Sequence, residues 1–386
     1  MIRKTFFLFA LLVAFQVFAQ DNIEVVNIEN KAVQDYMADA ANTYTGNSDY
    51  RVSVIAKYND SNRYGKKLYW PQGKLVEWTP SVSSEDISEI RVTVSENEKY
   101  GSPATHNPDE KSASSFVIRN LLPNRTYFYK VEEFHKDGTV TEVASGVFRT
   151  VGQVRMIQVR NSTNVRDLGG WPTQYGVPVK YGRLYRSASL ERTTANGRHD
   201  FVDNLGVVAE LDLRHEVKRT SSPLGSNVDY LRLDHGAYLS GMKERSRVYV
   251  KDLNWIIDRL YEEKNVDWHC AIGCDRCGTL SFLIEGLLGL SEVDLCRDYE
   301  LSTFSLSKNN KRHRGPLKSM ISYIKTFGPA DDLAQCFFNY WVSIGMRKGD
   351  LNYFIYEMLG ITDIVKITNK YRYPGNENYE DNENNE

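Results

Sequence analysis

The stretch that decides the fold is WHCAIGCDRCG, residues 268–278. Five residues separate Cys270 from Arg276 within it. Residues 267–269 are predicted to end a strand, and the apolar run at residues 281–288 is predicted to be a buried helix. A strand, a tight loop and a helix form a βα unit, and similar units recur in the second half of the chain. The sequence therefore predicts an α/β domain with a mainly parallel sheet flanked by helices.

The loop between that cysteine and arginine has the residues needed to hold a phosphate group. Its backbone N–H groups and the start of the helix can point at one place, where the helix dipole adds about half a positive charge. Arg276 can donate two parallel hydrogen bonds to phosphoryl oxygens. Because comparable settings lower a cysteine pKa to roughly 3.5–7.5, Cys270 is predicted to be an anionic nucleophile that needs no metal or other cofactor. The predicted phosphate-binding residues are Ala271, Ile272, Gly273, Cys274, Asp275 and Arg276.

All five cysteines lie in the last third of the chain, and Cys270, Cys274 and Cys277 fall within eight residues. Such clustering indicates chemistry more than a disulfide framework. Rhodanese-like sulfur transfer and arsenate reduction are other uses of an active cysteine loop. A metal site is a weaker alternative, because a distant second pair of ligands is missing. A reversible, protective disulfide between Cys270 and Cys274 is a further hypothesis, and it requires the loop to rearrange.

Three more blocks surround the loop in the chain. They are NVRDLGG with GRLYRSA at residues 164–170 and 182–188, LDLRHE at residues 211–216, and DYELS at residues 298–302. Together with the pattern His-Cys-x-x-Gly-x-Asp-Arg at residues 269–276, they resemble the protein-tyrosine and dual-specificity phosphatases. The bacterial branch with an aspartate directly before the arginine is the most similar. The resemblance covers about residues 152–365 and implies the phosphatase fold, with a four- or five-stranded parallel sheet.

Two carboxylates are candidates for the acid that protonates the leaving group. Asp275 matches the residue that the resemblance proposes, whereas Asp234 follows a predicted strand and could move in on a mobile loop.

His269 is predicted to be a buried hydrogen-bonding support. Asp167 and Arg214 are predicted to hold the loop from behind, because their blocks look like a turn and a strand end.

Two positions depart from the pattern of this branch. Cys274 stands where lysine is usual, so a cation that helps to bind highly phosphorylated lipids or inositols is missing. Cys277 stands where threonine or serine is usual, and its thiol is a weaker hydrogen-bond donor than a hydroxyl.

A basic run, KNNKRHR at residues 308–314, is either a solvated loop or a rim that steers anions.

These features predict a phosphomonoester hydrolase that forms a phosphocysteine intermediate. Its expected substrates are phosphotyrosine proteins, with or without phosphoserine and phosphothreonine, or small phosphomonoesters. One alternative is an inositol-polyphosphate phosphatase of the phytase type on the same loop. Another is a secreted phosphate-binding protein with little turnover, which the thiol of Cys277 favours. The formal net charge of −2 argues against a protein that binds nucleic acid.

The two ends of the chain predict an export signal and a tail. Residues 1–19 have a positive start, an apolar run of about 13 residues and small residues before a cleavage site. That run is shorter than the ~20 residues of a membrane-spanning helix, and no second run is long enough. We therefore expect cleavage near Ala19 and a periplasmic, cell-surface or secreted protein. A phosphatase-like domain is expected at residues 151–372, and a disordered acidic tail at residues 373–386.

Residues 51–150 are predicted to form a separate β-sandwich. Short alternating strands, the first at residues 51–55, follow one another without helical patterns between them. Tyr127 lies four residues after Pro123 and resembles the tyrosine corner of fibronectin type III domains. The sandwich is expected to be a spacer or to bind a protein or carbohydrate, and residues 20–50 are expected to be a linker or docking segment.

Overall fold

The computed structural model describes residues 23–39, 54–305 and 312–361. The predicted signal peptide at residues 1–19 and the predicted tail at residues 373–386 lie outside these ranges. A strand-rich N-terminal domain is followed by an α/β domain flanked by helices, which confirms the predicted fold class.

The described residues form the following elements. The strands are β1 Glu24–Asn27, β2 Lys74–Glu77, β3 Ile87–Ser95, β4 Ala104–His106, β5 Ser115–Ile118, β6 Thr126–His135, β7 Val140–Val151, β8 Arg166–Asp167, β9 Leu184–Ser187, β10 Val207–Asp212, β11 Asp229–Arg232 and β12 Asn265–His269. The α-helices are α1 Lys31–Ala38, α2 Ser61–Tyr64, α3 Ala195–His199, α4 Tyr238–Glu244, α5 Ser246–Tyr261, α6 Asp275–Leu287, α7 Glu292–Leu301, α8 Gly315–Ile324, α9 Leu333–Ser343 and α10 Lys348–Leu359.

The α/β domain is built on a five-stranded sheet in the order β11-β10-β12-β9-β8. Its first four strands are parallel, and the short edge strand β8 runs antiparallel to β9. Asp212 lies beside His269, and His269 beside Ser187, so three strands end at one edge of the sheet. Ligands of open α/β sheets bind outside this carboxyl edge. Residues 270–276, called the cradle loop below, leave the sheet there and end in the first turn of α6.

Helix α6 is the central helix of this domain, since every residue from Cys277 to Leu287 is buried. A helix buried all round needs neighbours on every face, and α6 contacts α4, α7 and α9. These contacts fix its N-terminus behind the cradle loop. No described helix is both long and apolar enough to cross a membrane.

The N-terminal domain packs a five-stranded sheet, β1-β7-β6-β3-β4, against the antiparallel pair β2 and β5. Leu122 N donates to the Tyr127 hydroxyl at 2.9 Å, which is the contact expected of a tyrosine corner. The likeness to fibronectin type III domains stays a prediction. The strand predicted at residues 51–55 is wrong where the structure describes it, because Val54–Lys57 is a 3-10 turn and Ile55 packs into the core of the α/β domain.

Residues 23–39 lie against both domains. Strand β1 pairs in parallel with β7, whereas α1 places Tyr36 in the core of the α/β domain. The Tyr36 hydroxyl donates to Glu300 Oε2 at 2.7 Å. Glu29 Oε1 accepts a hydrogen bond from Val154 N at 2.7 Å. The boundary between the two domains is therefore held by buried polar contacts as well as by packing.

Candidate active site

The carbonyl groups of the cradle loop are turned outward and bound by the surrounding protein. Ser189 N donates to the carbonyl of Ala271 at 3.3 Å. Asn164 Nδ2 donates to the carbonyls of Ile272 and Gly273 at 3.1 and 2.9 Å. Since carbonyls and amides of a tight loop face opposite ways, the N–H groups are left pointing into the loop, where an anion can accept from them.

A buried ion cluster holds this arrangement from behind. Arg186 Nη2 donates to the carbonyls of Gly273 and Cys274 at 3.0 and 3.3 Å, and its Nη1 lies 2.6 Å from Asp298 Oδ2. Arg166 Nε lies 2.8 Å from Asp298 Oδ1. Burial alone would raise the pKa of Asp298, but the two arginines outweigh it and lower that pKa. Two guanidinium groups on one carboxylate leave positive charge behind the loop.

Asn164, Arg186 and Asp298 have no role predicted from the sequence. All three lie in the blocks that carry the family resemblance, at residues 164–170, 182–188 and 298–302. Their position in these blocks was the one sign in the sequence that they could belong to the site. The sequence of the blocks does not distinguish these three residues from their neighbours, and the tertiary contacts do.

Cys270 lies at the base of the loop and is 1% exposed. The Cys277 thiol and the backbone N–H groups of Cys277 and Ile272 lower the pKa of its sulfur as donors. Together with the charge of Arg276, these donors outweigh burial and hold the pKa of Cys270 well below its usual range. Burial and the neighbouring Cys270 raise the pKa of Cys277, so Cys277 stays protonated and remains a donor. The same thiol also lies 3.7 and 3.8 Å from the carbonyl oxygens of Ser187 and Trp268.

Arg276 is oriented by Glu216, a contact that the sequence did not predict. Its Nη1 and Nη2 lie 3.2 and 3.3 Å from the two carboxylate oxygens of Glu216, and Nη1 also donates to the carbonyl of Leu213 at 3.3 Å. The hydrogen bond from Arg276 lowers the pKa of Glu216. This two-point contact fixes the plane of the guanidinium group while its remaining N–H groups stay available for phosphate.

His269 is placed as the predicted buried support. It is fully buried, and its Nε2 lies 2.8 Å from Glu210 Oε1. Burial alone would lower the pKa of His269, but the hydrogen bond and charge of Glu210, with the charge of Asp212, raise it. Arg219 and Arg214 pair with those two carboxylates, so the cluster is balanced by cations of the protein itself.

The two other predicted supports have different roles. Arg214 Nε donates to Asp212 at 2.7 Å and its Nη1 to the Ser189 hydroxyl at 3.4 Å, so Arg214 steadies a neighbour of the loop. The prediction that Asp167 holds the loop is corrected by its contacts. Asp167 accepts from Arg155 Nη1 and from Gly182 N, both at 2.8 Å, because β8 lies at the sheet edge next to the N-terminal domain.

Asp275 belongs to the cradle loop, whereas Asp234 is connected to the loop through His215 and Glu216. Asp275, the first residue of α6, contacts the Tyr238 hydroxyl and lies 3.3 Å from Arg312 Nη2. Asp234 is half exposed and lies 3.7 Å from both His215 Nδ1 and Arg245 Nη2. His215 in turn contacts the carboxylate that orients the loop arginine.

The basic run at residues 308–314 divides into parts with different surroundings. Its first four residues lie outside the described ranges. Arg312 Nε lies 2.8 Å from Cys274 Sγ, so a guanidinium group covers the loop position where the branch usually has lysine. Arg314 is buried against Glu300 at 2.7 Å, which removes it from the expected rim.

All five cysteines are free thiols in the structure. Cys274 was the hypothesised disulfide partner of Cys270, but its sulfur lies against Arg312. The thiol that contacts the Cys270 sulfur is that of Cys277. Burial raises the pKa of Cys274.

Replacing Gly273 with alanine is expected to open the cradle loop. Gly273 has a φ of +70°, and an added Cβ would lie 2.5 Å from the carbonyl oxygen of Ser187. The left-handed backbone alone costs a non-glycine residue roughly 1–2 kcal/mol, and the strand carbonyl cannot move aside easily. The kcat/KM of Gly273→Ala should fall about 100-fold or more, because the N–H groups of the loop no longer point at the phosphoryl oxygens.

The measurement is kcat/KM on an aryl phosphate, together with the melting temperature. Gly349→Ala is the matched control, since its added Cβ meets nothing within 4 Å. Wild-type activity in Gly273→Ala would show that the loop does not need this backbone conformation.

A strand, a closed loop carrying a sulfur anion, an oriented arginine and a helix N-terminus define the site of a cysteine-dependent phosphatase. Residues 157–364 match the model of the tyrosine phosphatase family. This match spans more than half of the chain, and the protein belongs to that family. It is a phosphatase enzyme whose substrate carries a phosphate group.

Two solved structures are similar to part of this chain. The crystal structure of P. aeruginosa TpbA shares 16% identity over 43% of this chain and 96% of its own, with a TM-score of 0.29. The core catalytic domain of the PP-IP phosphatase SIW14 from S. cerevisiae, in complex with citrate, shares 15% identity over 40% of this chain and 93% of its own, with a TM-score of 0.28. Neither likeness is close enough to indicate a substrate. No curated protein matches the chain.

Proposed function

We propose that the enzyme hydrolyses phosphomonoesters through a phosphocysteine on Cys270. The observation that carries this proposal is that the carbonyls of residues 271–274 are turned outward around a cysteine whose pKa is held well below its usual range. A loop built in this way stabilises two anions at once, the attacking thiolate and the phosphoryl group that it attacks. Arg276, held by Glu216, binds two of the phosphoryl oxygens.

The reaction has two steps, and the protons balance in each. In the first, the Cys270 sulfur bonds to phosphorus while the ester P–O bond breaks, and protonated Asp275 gives its proton to the leaving oxygen. In the second, water attacks phosphorus, the ionised Asp275 takes a proton from that water, and the electrons of the P–S bond return to sulfur. The Cys277 thiol donates to the departing thiolate.

We further propose that the substrate is phosphotyrosine in a protein. Ile272 is 37% exposed on the loop, so an apolar side chain is available to contact an aromatic ring. Three cations around the loop, Arg276, Arg245 and Arg312, already lie on the carboxylates of Glu216, Asp234 and Asp275. Because much of this positive charge is paired within the protein, the surroundings disfavour a substrate with several phosphates. An inositol polyphosphate is therefore the second candidate.

A substrate panel on the reduced protein tests this function. We expect kcat/KM for a phosphotyrosine peptide to exceed that for a matched phosphoserine peptide by about tenfold or more, because the tyrosine ring can pack against Ile272 and a serine side chain cannot. Inositol hexakisphosphate should be poorer still. Phosphate release from inositol hexakisphosphate but not from phosphotyrosine would contradict the proposed substrate and favour the second candidate.

We also propose that the chain is exported after cleavage near Ala19. The support is the charged start, the short apolar run and the small residues before the cleavage site. The mass of the mature protein, purified from the exported fraction, is expected to correspond to a start near Gln20. Recovery of the full-length chain from the interior of the cell alone would contradict export.

A further inference from the structure

A tyrosine hydroxyl lies on the proposed acid. Tyr238, the first residue of α4, donates a hydrogen bond from its hydroxyl to Asp275 Oδ1. The same hydroxyl lies 2.8 Å from the Tyr299 hydroxyl on α7, and the two rings meet edge to face with centroids 6.2 Å apart. The direction of the Asp275 carboxylate is thus set by side chains from two other helices.

The backbone of Tyr238 is strained where it makes these contacts. Its φ of +59° lies in the left-handed region, which an aromatic residue rarely adopts. Residues held in this way persist only where their surroundings fix them, and they concentrate at functional sites. Here Tyr238 N donates to Thr279 Oγ1 at 2.7 Å, and that hydroxyl donates to the carbonyl of Asp275 at 2.9 Å. Both ends of Tyr238 are therefore attached to the start of α6.

We propose that Tyr238 is a positioning residue that keeps the Asp275 carboxyl group in one direction through both steps of the reaction. The proposal rests on the proposed function, in which Asp275 is first an acid and then a base. A hydroxyl can donate to Oδ1 both when the carboxyl group is ionised and when its proton is on the other oxygen, from which it can be given to the leaving group. The contact between Tyr238 and Asp275 therefore survives the proton transfer.

The second contact of Asp275 is of a different kind. Arg312 is a cation with only N–H donors, so at 3.3 Å it adds positive charge beside the carboxyl group but cannot accept a proton from it. Burial raises the pKa of Tyr238, and Tyr299 and Asp275 raise it further, so Tyr238 itself stays neutral and does not compete for the proton. Tyr238 thus fixes the direction of the Asp275 carboxyl group, whereas Arg312 stabilises its negative charge.

Leaving groups of different acidity distinguish a positioning role from a structural one. A phenol with an ordinary pKa of about 10, such as tyrosine, needs a proton as it leaves, whereas nitrophenol is acidic enough to leave as an anion. We expect Tyr238→Phe to lower kcat/KM for phenyl phosphate about tenfold and for p-nitrophenyl phosphate less than twofold. Asp275→Asn should show the same selectivity with a larger loss, about 100-fold on phenyl phosphate.

Tyr249→Phe is the matched control, since it removes a hydroxyl that donates to the carbonyl of Gly236 in the segment just before Tyr238. It should change both substrates by the same factor. The double variant of Tyr238→Phe and Asp275→Asn should be no slower on phenyl phosphate than Asp275→Asn alone, because a positioning residue acts through its partner. Melting temperatures of all variants report folding separately.

The outcomes separate the two proposals. Selectivity in Asp275→Asn but not in Tyr238→Phe, or equal losses on both substrates in Tyr238→Phe, overturns the positioning role alone. If Asp275→Asn lowers kcat/KM equally for phenyl phosphate and p-nitrophenyl phosphate, Asp275 is not the acid, and the positioning role of Tyr238 is overturned with it. A wild-type protein that hydrolyses neither aryl phosphate overturns the proposed function.

Discussion

Replacing Cys270 with serine is expected to reduce hydrolysis at least about 1,000-fold, because removing a covalent nucleophile leaves only binding and charge stabilisation. The sulfur is the group toward which one thiol, two N–H groups and Arg276 are directed, so no neighbouring side chain can replace it. Binding of inorganic phosphate should persist, since the carbonyl contacts that shape the loop are unchanged. The measurements are kcat/KM on an aryl phosphate and phosphate binding by calorimetry.

Cys336→Ser is the matched control, because Cys336 lies on α9 and its thiol donates only to the carbonyl of Pro329. Equal phosphate release by wild type and Cys270→Ser, with both binding phosphate, would contradict the phosphocysteine mechanism and support a binding protein with little turnover.

The same sulfur can be identified by its ionisation. The pKa of Cys270 is lowered from an ordinary value near 9, whereas burial raises the pKa of Cys274, Cys277, Cys296 and Cys336. A group with a lowered pKa stays anionic as the pH falls from 9 until the pH passes through its lowered value. Alkylation by iodoacetamide at pH 6 should therefore modify Cys270 first, and inorganic phosphate should slow it. Peptide mass spectrometry that finds another cysteine modified first would contradict this ionisation.

Replacing Arg276 with lysine is expected to produce the second largest loss, about 100- to 1,000-fold in kcat/KM. Lysine keeps the charge but cannot donate two parallel hydrogen bonds to two phosphoryl oxygens. It also cannot match the two-point contact with Glu216, so the cation loses its fixed direction. Because the charge of Arg276 helps to lower the pKa of Cys270, a displaced cation also leaves the sulfur less anionic.

The measurements are kcat/KM for an aryl phosphate and the dissociation constant for phosphate. Arg347→Lys is the matched control, since Arg347 is 84% exposed and pairs with Asp350 on α10, away from the cradle loop. Activity within threefold of wild type in Arg276→Lys would show that charge alone is sufficient at this position.

The elements of the chain that were predictable are those defined by local pattern. Strand β12 ends at His269 as predicted, and the apolar run predicted as a helix from residue 281 lies in α6 up to Leu287, because strand and helix spacing are properties of short windows. The failure at Val54 and Ile55 has the same origin. A short alternating segment can be a strand or a turn, and Ile55 packs into the core of the α/β domain as part of a 3-10 turn.

The parts of the site that were not predictable depend on residues far apart in sequence. Asn164 contacts the carbonyl of Gly273 across 109 positions, and Tyr36 contacts Glu300 across 264. Periodicity cannot indicate which of many polar side chains will meet when a sheet orders its strands. Asp167 shows the converse, since a well-placed block did not reveal that its carboxylate pairs with Arg155 and not with the cradle loop.

The sequence alone therefore determined the class of the reactive loop: a cysteine and an arginine with five residues between them, after a strand and at the start of a helix, with a glycine at the point where the chain must turn. The tertiary structure alone decided what makes that loop work. It turned the carbonyls outward through Asn164 and Arg186, placed Glu216 on Arg276 and attached Tyr238 to Asp275. The physical reason is that local spacing specifies the backbone path, whereas the electrostatic field on the sulfur is a sum over groups that only folding brings within a few ångströms.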